Sequence, residues 1–168
     1  MTQPAHIELR ALEPEDLELI YRLENDPATW AWGATNVPYS RYAIRQYLES
    51  TQNDLFADRQ VRLVAMADEP IGLADLFNFD PTHLRAEIGL LIAPEHRGRG
   101  YARPILEQLE QYAVRLRLHQ LYAITAVDNA PAARLFTHAN YRTSACLHDW
   151  LLSDGRWVDA TVWQKTFL

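Results

Sequence analysis

Residues 86–116, AEIGLLIAPEHRGRGYARPILEQLEQYAVRL, restrict the fold of this chain more than any other stretch. The segment opens as an apolar strand, breaks at Pro94, crosses a short Arg/Gly loop and continues as an amphipathic helix. Ile105, Leu106, Leu109, Tyr112, Ala113 and Leu116 recur on one face of a 3.6-residue period. Pro104 is tolerated only in a first helical turn, where backbone N–H groups have no helical partner, so the helix starts close to Gly98–Gly100. A glycine loop feeding a helix start gathers free N–H groups at the positive end of a dipole worth about half a charge. Gly98 and Gly100 let the backbone approach a ligand, Ala102 keeps the next contact small, and Arg97 and Arg99 add positive charge. The ligand that fits is a phosphate or pyrophosphate. The Walker pattern is excluded, because no Gly-Lys-Ser/Thr follows. The dinucleotide pattern fits poorly, because Arg103 stands where its third glycine belongs.

The 168 residues suit one domain with a substantial core, 1–168. A net charge of −6 argues against a nucleic-acid binder, which carries a basic face. It agrees with a cationic partner, although many proteins are equally acidic. The single cysteine, Cys146, permits no internal disulfide and fits the reducing cytoplasm. Its setting, SACLHDW, reads as packing in an apolar strand rather than as a nucleophile. The N-terminus carries no signal-peptide pattern, and no apolar run reaches the roughly 20 residues that span a bilayer. No metal ligand set is assigned.

Along the chain, residues His6–Leu12 alternate as a strand, and Pro14-Glu15-Asp16 opens a helix through about Asn25 that Pro27 ends. A Trp-rich irregular segment, Thr29–Tyr39, leads to a helix at about Ser40–Thr51 with Ser40 as its cap. Gln60–Ala67, Ile71–Phe79, Leu84–Ala93 and Gln120–Val127 read as strands, and Asn129–Asn140 as a short helix. The chain ends in a hairpin, Tyr141–Leu152 and Trp157–Phe167, turned at Ser153-Asp154-Gly155-Arg156. The order β-α-α-β-β-β-α-β-α-β-β is a mixed α/β fold.

Arg97-Gly98-Arg99-Gly100-Tyr101-Ala102 resembles the Gln/Arg-x-x-Gly-x-Gly/Ala motif of the GNAT N-acetyltransferase superfamily. Ala86-Glu87-Ile88-Gly89 resembles the opening of that superfamily's fourth strand, and residues 127–141 resemble its Asn-x-x-Ala-x-x-Leu-Tyr-x-x-x-Gly-Phe signature. The tail Asp154-Gly155-Arg156-Trp157-Val158-Asp159 is similar to bacterial spermidine and ribosomal-protein N-acetyltransferases. The resemblance implies a mostly antiparallel sheet of about seven strands flanked by about four helices, and acetyl-CoA as co-substrate. It implies pyrophosphate binding by Arg97–Ala102, backbone contacts from Gly89, Leu90, Leu91 and Ile92 where the fourth strand pulls away from the fifth, and a CoA contact from Asn129. Asn129 also reads as an ordinary helix cap. Dimerisation through the C-terminal hairpin is implied in the same way.

The reaction needs an amine to lose a proton and attack a thioester, whose oxygen gains charge as a thiolate leaves. Glu87 stands where several family members carry the base. A charged residue entering an apolar strand is costly unless exposed or paired, so a structural pairing with Arg85 or with an arginine of a neighbouring strand is equally open. Phe136 departs from the family, which places there a Tyr that protonates the leaving sulfur. Either a thiol of pKa near 8.5 leaves unassisted, or Tyr141, His138 or Tyr122 substitutes, or catalysis is weak. On the acceptor side, the family's acidic Phe-Glu-Glu-Pro-Tyr loop aligns with Gly33–Tyr39, GATNVPY, which has no carboxylate. Asp75 remains as a carboxylate for a cationic amine, or is a solvated strand-edge residue. Trp30 and Trp32 line an amine pocket by cation–π contact worth about 0.5–2 kcal/mol, or are core aromatics. The expected activity is acetyl transfer to a primary amine of a small molecule, a polyamine among the candidates. A protein N-terminal amine is the alternative, and a non-catalytic acyl-CoA sensor is the reading from another class.

Overall fold

The computed structural model describes residues 6–30 and 37–167. Seven strands run in chain order: β1 (Glu8–Ala11), β2 (Val61–Met66), β3 (Pro70–Asp80), β4 (Arg85–Ile92), β5 (Gln120–Ala126), β6 (Arg142–Ser153) and β7 (Arg156–Thr166). The α-helices are α1 (Leu17–Glu24), α2 (Pro27–Trp30), α3 (Arg41–Ser50), α4 (Leu55–Asp58), α5 (Ala102–Arg115) and α6 (Ala130–His138). The two helices beyond the expected four, α2 and α4, are single turns. Pro27 does not merely end α1; it also opens α2, since its fixed φ suits a first turn. Asp54 makes α4 by accepting from the N–H groups of Phe56 and Ala57.

The strands form one sheet in the order β1-β2-β3-β4-β5-β7-β6. Every adjacent pair is antiparallel except β4 and β5. Period-two alternation divides two cores between the faces. On one face Ile105, Leu106 and Leu109 of α5 and Phe136 of α6 pack on Ala74, Leu76, Ala86, Ile88 and Leu121. On the other, Ile20 and Leu23 of α1 and Ile44 of α3 cover Val64, Leu73 and Ala93. The first connection is held by Asp16, which is buried and receives both terminal nitrogens of Arg10 at 2.8 Å and the Glu13 N–H at 2.8 Å. Among the described residues no helix is long and apolar enough to cross a membrane.

Candidate active site

The parallel pairing of β4 with β5 covers only Arg85–Glu87 against Gln120–Tyr122. Both strands continue, β4 to Ile92 and β5 to Ala126, so a gap opens in the sheet immediately beyond the Glu87–Tyr122 pair. Ala93 donates its N–H to Ile71 O at 2.9 Å, toward β3. By strand alternation Leu91 and Gly89 also turn their backbone groups to β3, while Leu90 and Ile92 turn theirs to the gap. The four backbone donors expected at Gly89–Ile92 therefore reduce to two. Gly89 has a different reason to be glycine: a Cβ there would stand 3.3 Å from Asp75 Cβ and 3.3 Å from Phe77 Cε1.

At the far end of β4 the Arg/Gly loop folds back, with Arg97 Nε donating to Ile92 O at 2.8 Å. Gly98 and Gly100 adopt φ of 73° and 82°, the left-handed region that favours glycine. A Cβ on either would meet no atom within 4 Å, so the space before the loop is open. Tyr101 precedes α5, and no side chain caps that helix. By contrast Ser40, Asp54 and Asn129 each cap theirs by accepting a backbone N–H. Pro104 has no N–H and that of Ile105 goes to Tyr101 O, so the N–H groups of Ala102 and Arg103 are left uncapped beside two glycines of positive φ, a donor set that suits a phosphate. Arg99 makes no hydrogen bond or ion pair among the described residues. Arg103 is occupied by Glu107 at 2.8 Å and His138 O at 2.9 Å. Behind the loop lies a residue that the sequence did not mark. His96 is buried, meets Tyr101 edge-on at 6.3 Å, and leaves Nδ1 without a partner among the described residues.

Glu87 sits at the apex of the gap on the α1/α3 face, half-buried. Its Oε2 accepts from Asn78 Nδ2 at 2.9 Å. Asn78 reaches it from a bulge in β3, where its φ is 48°. Tyr122, which pairs with Glu87 across β4 and β5, faces the same carboxylate; burial, and then that carboxylate, push its phenol up to about 12. Arg85 pairs instead with Asp80 at 3.1 Å. The alternative pairing of Glu87 with an arginine is not met among the described residues, where its hydrogen-bond partner is the neutral Asn78.

Asp75 lies on the same face, two residues along β3 from Phe77, which pairs with Glu87. It is not a solvated edge carboxylate: Arg62 of β2 grips it at 3.0 and 2.8 Å and also donates to Glu24 of α1 at 2.6 Å. Burial raises the Asp75 carboxyl above its usual range, and Arg62 beside it works in the opposite direction. Asp75 and Glu24 thus share the Arg62 guanidinium under α1 and α3. Asn129 caps α6 by accepting from Ala132 N at 3.1 Å. Phe136 is buried, stacked on Trp163 at 5.9 Å and edge-on to Tyr141 at 5.0 Å. Of the three substitute donors, only Tyr122 adjoins Glu87. Tyr141 is buried beside Glu110, and burial followed by that carboxylate drives its phenol far above the usual range. His138 is exposed and turned to Arg134 O at 2.6 Å. Trp32 lies outside the described residues, as do residues 33–36 of the aligned acceptor loop and the side chain of Trp30.

Residues 6–142 match the family described as the acetyltransferase (GNAT) domain. The chain belongs to the GNAT family. As a GNAT protein it is an N-acetyltransferase that uses acetyl-CoA. It is 30% identical over 159 residues to the spermidine N(1)-acetyltransferase of Vibrio cholerae, covering 92% of this chain and 90% of that protein. Over 131 residues it is 30% identical to a putative ribosomal N-acetyltransferase of Bacillus subtilis, covering 74% of this chain and 71% of that one. The structure of the Vibrio cholerae spermidine N-acetyltransferase in complex with CoA and spermine superposes on this GNAT chain with a TM-score of 0.87. The two share 27% sequence identity, with 95% of each chain covered.

Proposed function

We propose that this enzyme acetylates a primary amine of a small cationic molecule, with a polyamine as the first candidate, by direct attack on acetyl-CoA. The observation that carries the reading is Glu87: a carboxylate at the apex of the β4/β5 gap, hydrogen-bonded by the neutral Asn78 and faced by the Tyr122 phenol. Bound acetyl-CoA supplies an activated acyl thioester. The open Arg/Gly loop and the uncapped start of α5 hold its phosphates, and Asn129 stands at the start of α6 on the opposite wall. The N–H groups of Leu90 and Ile92, two residues apart along the open edge of β4, are donors for the acyl-pantetheine arm laid in the gap. Glu87 accepts the proton that the amine loses, and Asn78 fixes its orientation. A thiolate of ordinary pKa near 8.5 leaves without a donated proton, so a phenylalanine at position 136 is compatible with turnover.

The polyamine preference rests on the Vibrio cholerae relative and agrees with the chain's net charge of −6. With one cysteine and no internal disulfide, the enzyme is assigned to the cytoplasm. The exposed Trp150, Leu152 and Trp157 near the tip of the β6–β7 hairpin suit a homodimer contact. The test is release of free CoA thiol from acetyl-CoA across an amine panel, with calorimetric CoA binding on the same sample. Thiol release that depends on a polyamine supports the reading. Release only with peptides bearing a free N-terminus replaces the substrate, and CoA binding without turnover on any of these amines leaves a sensor.

A further inference from the structure

Cys146 and His148 stand two residues apart on β6, so their side chains leave the same face of the sheet. The β6–β7 register pairs Cys146 with Thr161 and Leu147 with Ala160, then resumes at Leu151 and Val158. His148, Asp149 and Trp150 are thus bulged opposite Asp159 alone. Asp149, at the centre of the bulge, has a φ of 49° and donates its N–H to Asp159 Oδ1 at 2.9 Å. The other oxygen, Oδ2, is thereby presented to His148 Nδ1 at 3.0 Å and to Cys146 Sγ at 3.9 Å. Sulfur, ring nitrogen and carboxylate oxygen all lie within 4.8 Å of one another.

We propose that Cys146, His148 and Asp159 form a zinc site, with one ion per chain and an open fourth position for water or an external ligand. Tetrahedral zinc with bonds of 2.0–2.3 Å spaces its ligand atoms about 3.3–3.8 Å apart, which small side-chain rotations reach from the observed separations. The donor set discriminates: a thiolate and an imidazole suit zinc, whereas magnesium and calcium take oxygen. The bulge re-aims His148 at the carboxylate, and the Asp149 N–H fixes that carboxylate as a supporting shell does around a metal. Cys146 and His148 are exposed, so an ion enters without any opening of the core. On binding, the Cys146 thiol gives its proton to solvent as the sulfur–metal bond forms, and the neutral His148 ring keeps its proton on Nε2. The site is separate from the acetyl-transfer chemistry: β6 lies at the sheet edge, beyond β7 and β5 from the gap.

The test uses the reduced full chain, stripped with chelator and titrated with Co2+ as an optical probe, then with Zn2+ in competition. The expected result is one Co2+ per chain, a thiolate-to-cobalt charge-transfer band, and its displacement by Zn2+. Cys146→Ser removes the band, and His148→Gln or Asp159→Asn weakens binding at least about tenfold. No band, uptake well below one ion per chain, or unchanged binding by Cys146→Ser would each overturn the site. These ligands line an exposed edge hairpin outside both cores, so the substitutions leave the fold in place.

Discussion

At the scale of single residues, a carboxylate is defined by its partners. Among the described residues Glu87 accepts its hydrogen bond from the neutral Asn78, which suits the base role proposed for it. Glu87→Gln is therefore expected to lower turnover by about 10²–10⁴-fold at neutral pH, and by less at high pH, where the amine is already deprotonated. A pH–rate profile of both enzymes checks this, and an equal loss at every pH would remove Glu87 as the base. Asp16 is the opposite case. Its carboxyl is held below the usual range: burial raises it, but hydrogen bonds from Arg10 and from the Glu13 backbone outweigh that. With the folded pKa depressed, its contribution is fully present above the ordinary carboxyl pKa and is lost as pH falls through the folded value. Asp16→Asn should cost about 1–3 kcal/mol at neutral pH, with the deficit closing in acid, as read from denaturation midpoints across pH. Glu87 was visible in the sequence as a charge breaking an apolar strand. Its partner Asn78 was not, because a bulge obeys pairing across strands rather than any local pattern. Arg62 and Asp75 are likewise joined only once β2 and β3 align.

The elements of the α5 region were the most legible, since periodicity, Pro104 and the two glycines all constrain the same few residues. The gap between β4 and β5 was hidden: nothing in GLLI distinguishes a strand with one free edge from a strand paired on both sides. Cys146 illustrates the same blindness. SACLHDW reads as an apolar strand with its cysteine packed inside, yet β6 is the sheet's edge strand and Cys146 is exposed. Close approach of neighbouring strands leaves a mark at Gly72, where a Cβ would stand 2.3 Å from Leu91 O on β4. Gly72→Ala is expected to destabilise the protein by about 1–3 kcal/mol through displacement of that carbonyl, measurable as a shift in chemical denaturation. Unchanged stability would mean that β3 and β4 can separate there at no cost.

For the whole molecule, fold class, strand order along the chain and cofactor were legible, because the motifs occur in sequence on the right elements. The spatial order β5-β7-β6 and the parallel pair were not, since topology depends on which edges meet. Ligand binding couples to the stability of this whole. CoA at 100 times its dissociation constant stabilises by about 2.7 kcal/mol, which for a chain of this size raises Tm by about 5–10 °C. Gly100→Asp should abolish that rise by placing a carboxylate before the loop; a retained rise would relocate the phosphate site. The gap also has a mechanical meaning. The sheet resembles two leaves of a book, β1–β4 and β5–β7, bound along a spine of three residue pairs at one end. Beyond the spine, the amides of Leu90 and Ile92 have no rung to cross, and in the free enzyme they should trade hydrogen for deuterium quickly, however deep in the sheet they lie. A bound pantetheine chain would supply the missing rungs, and the slowing of exchange at those two positions would time how long the book stays shut.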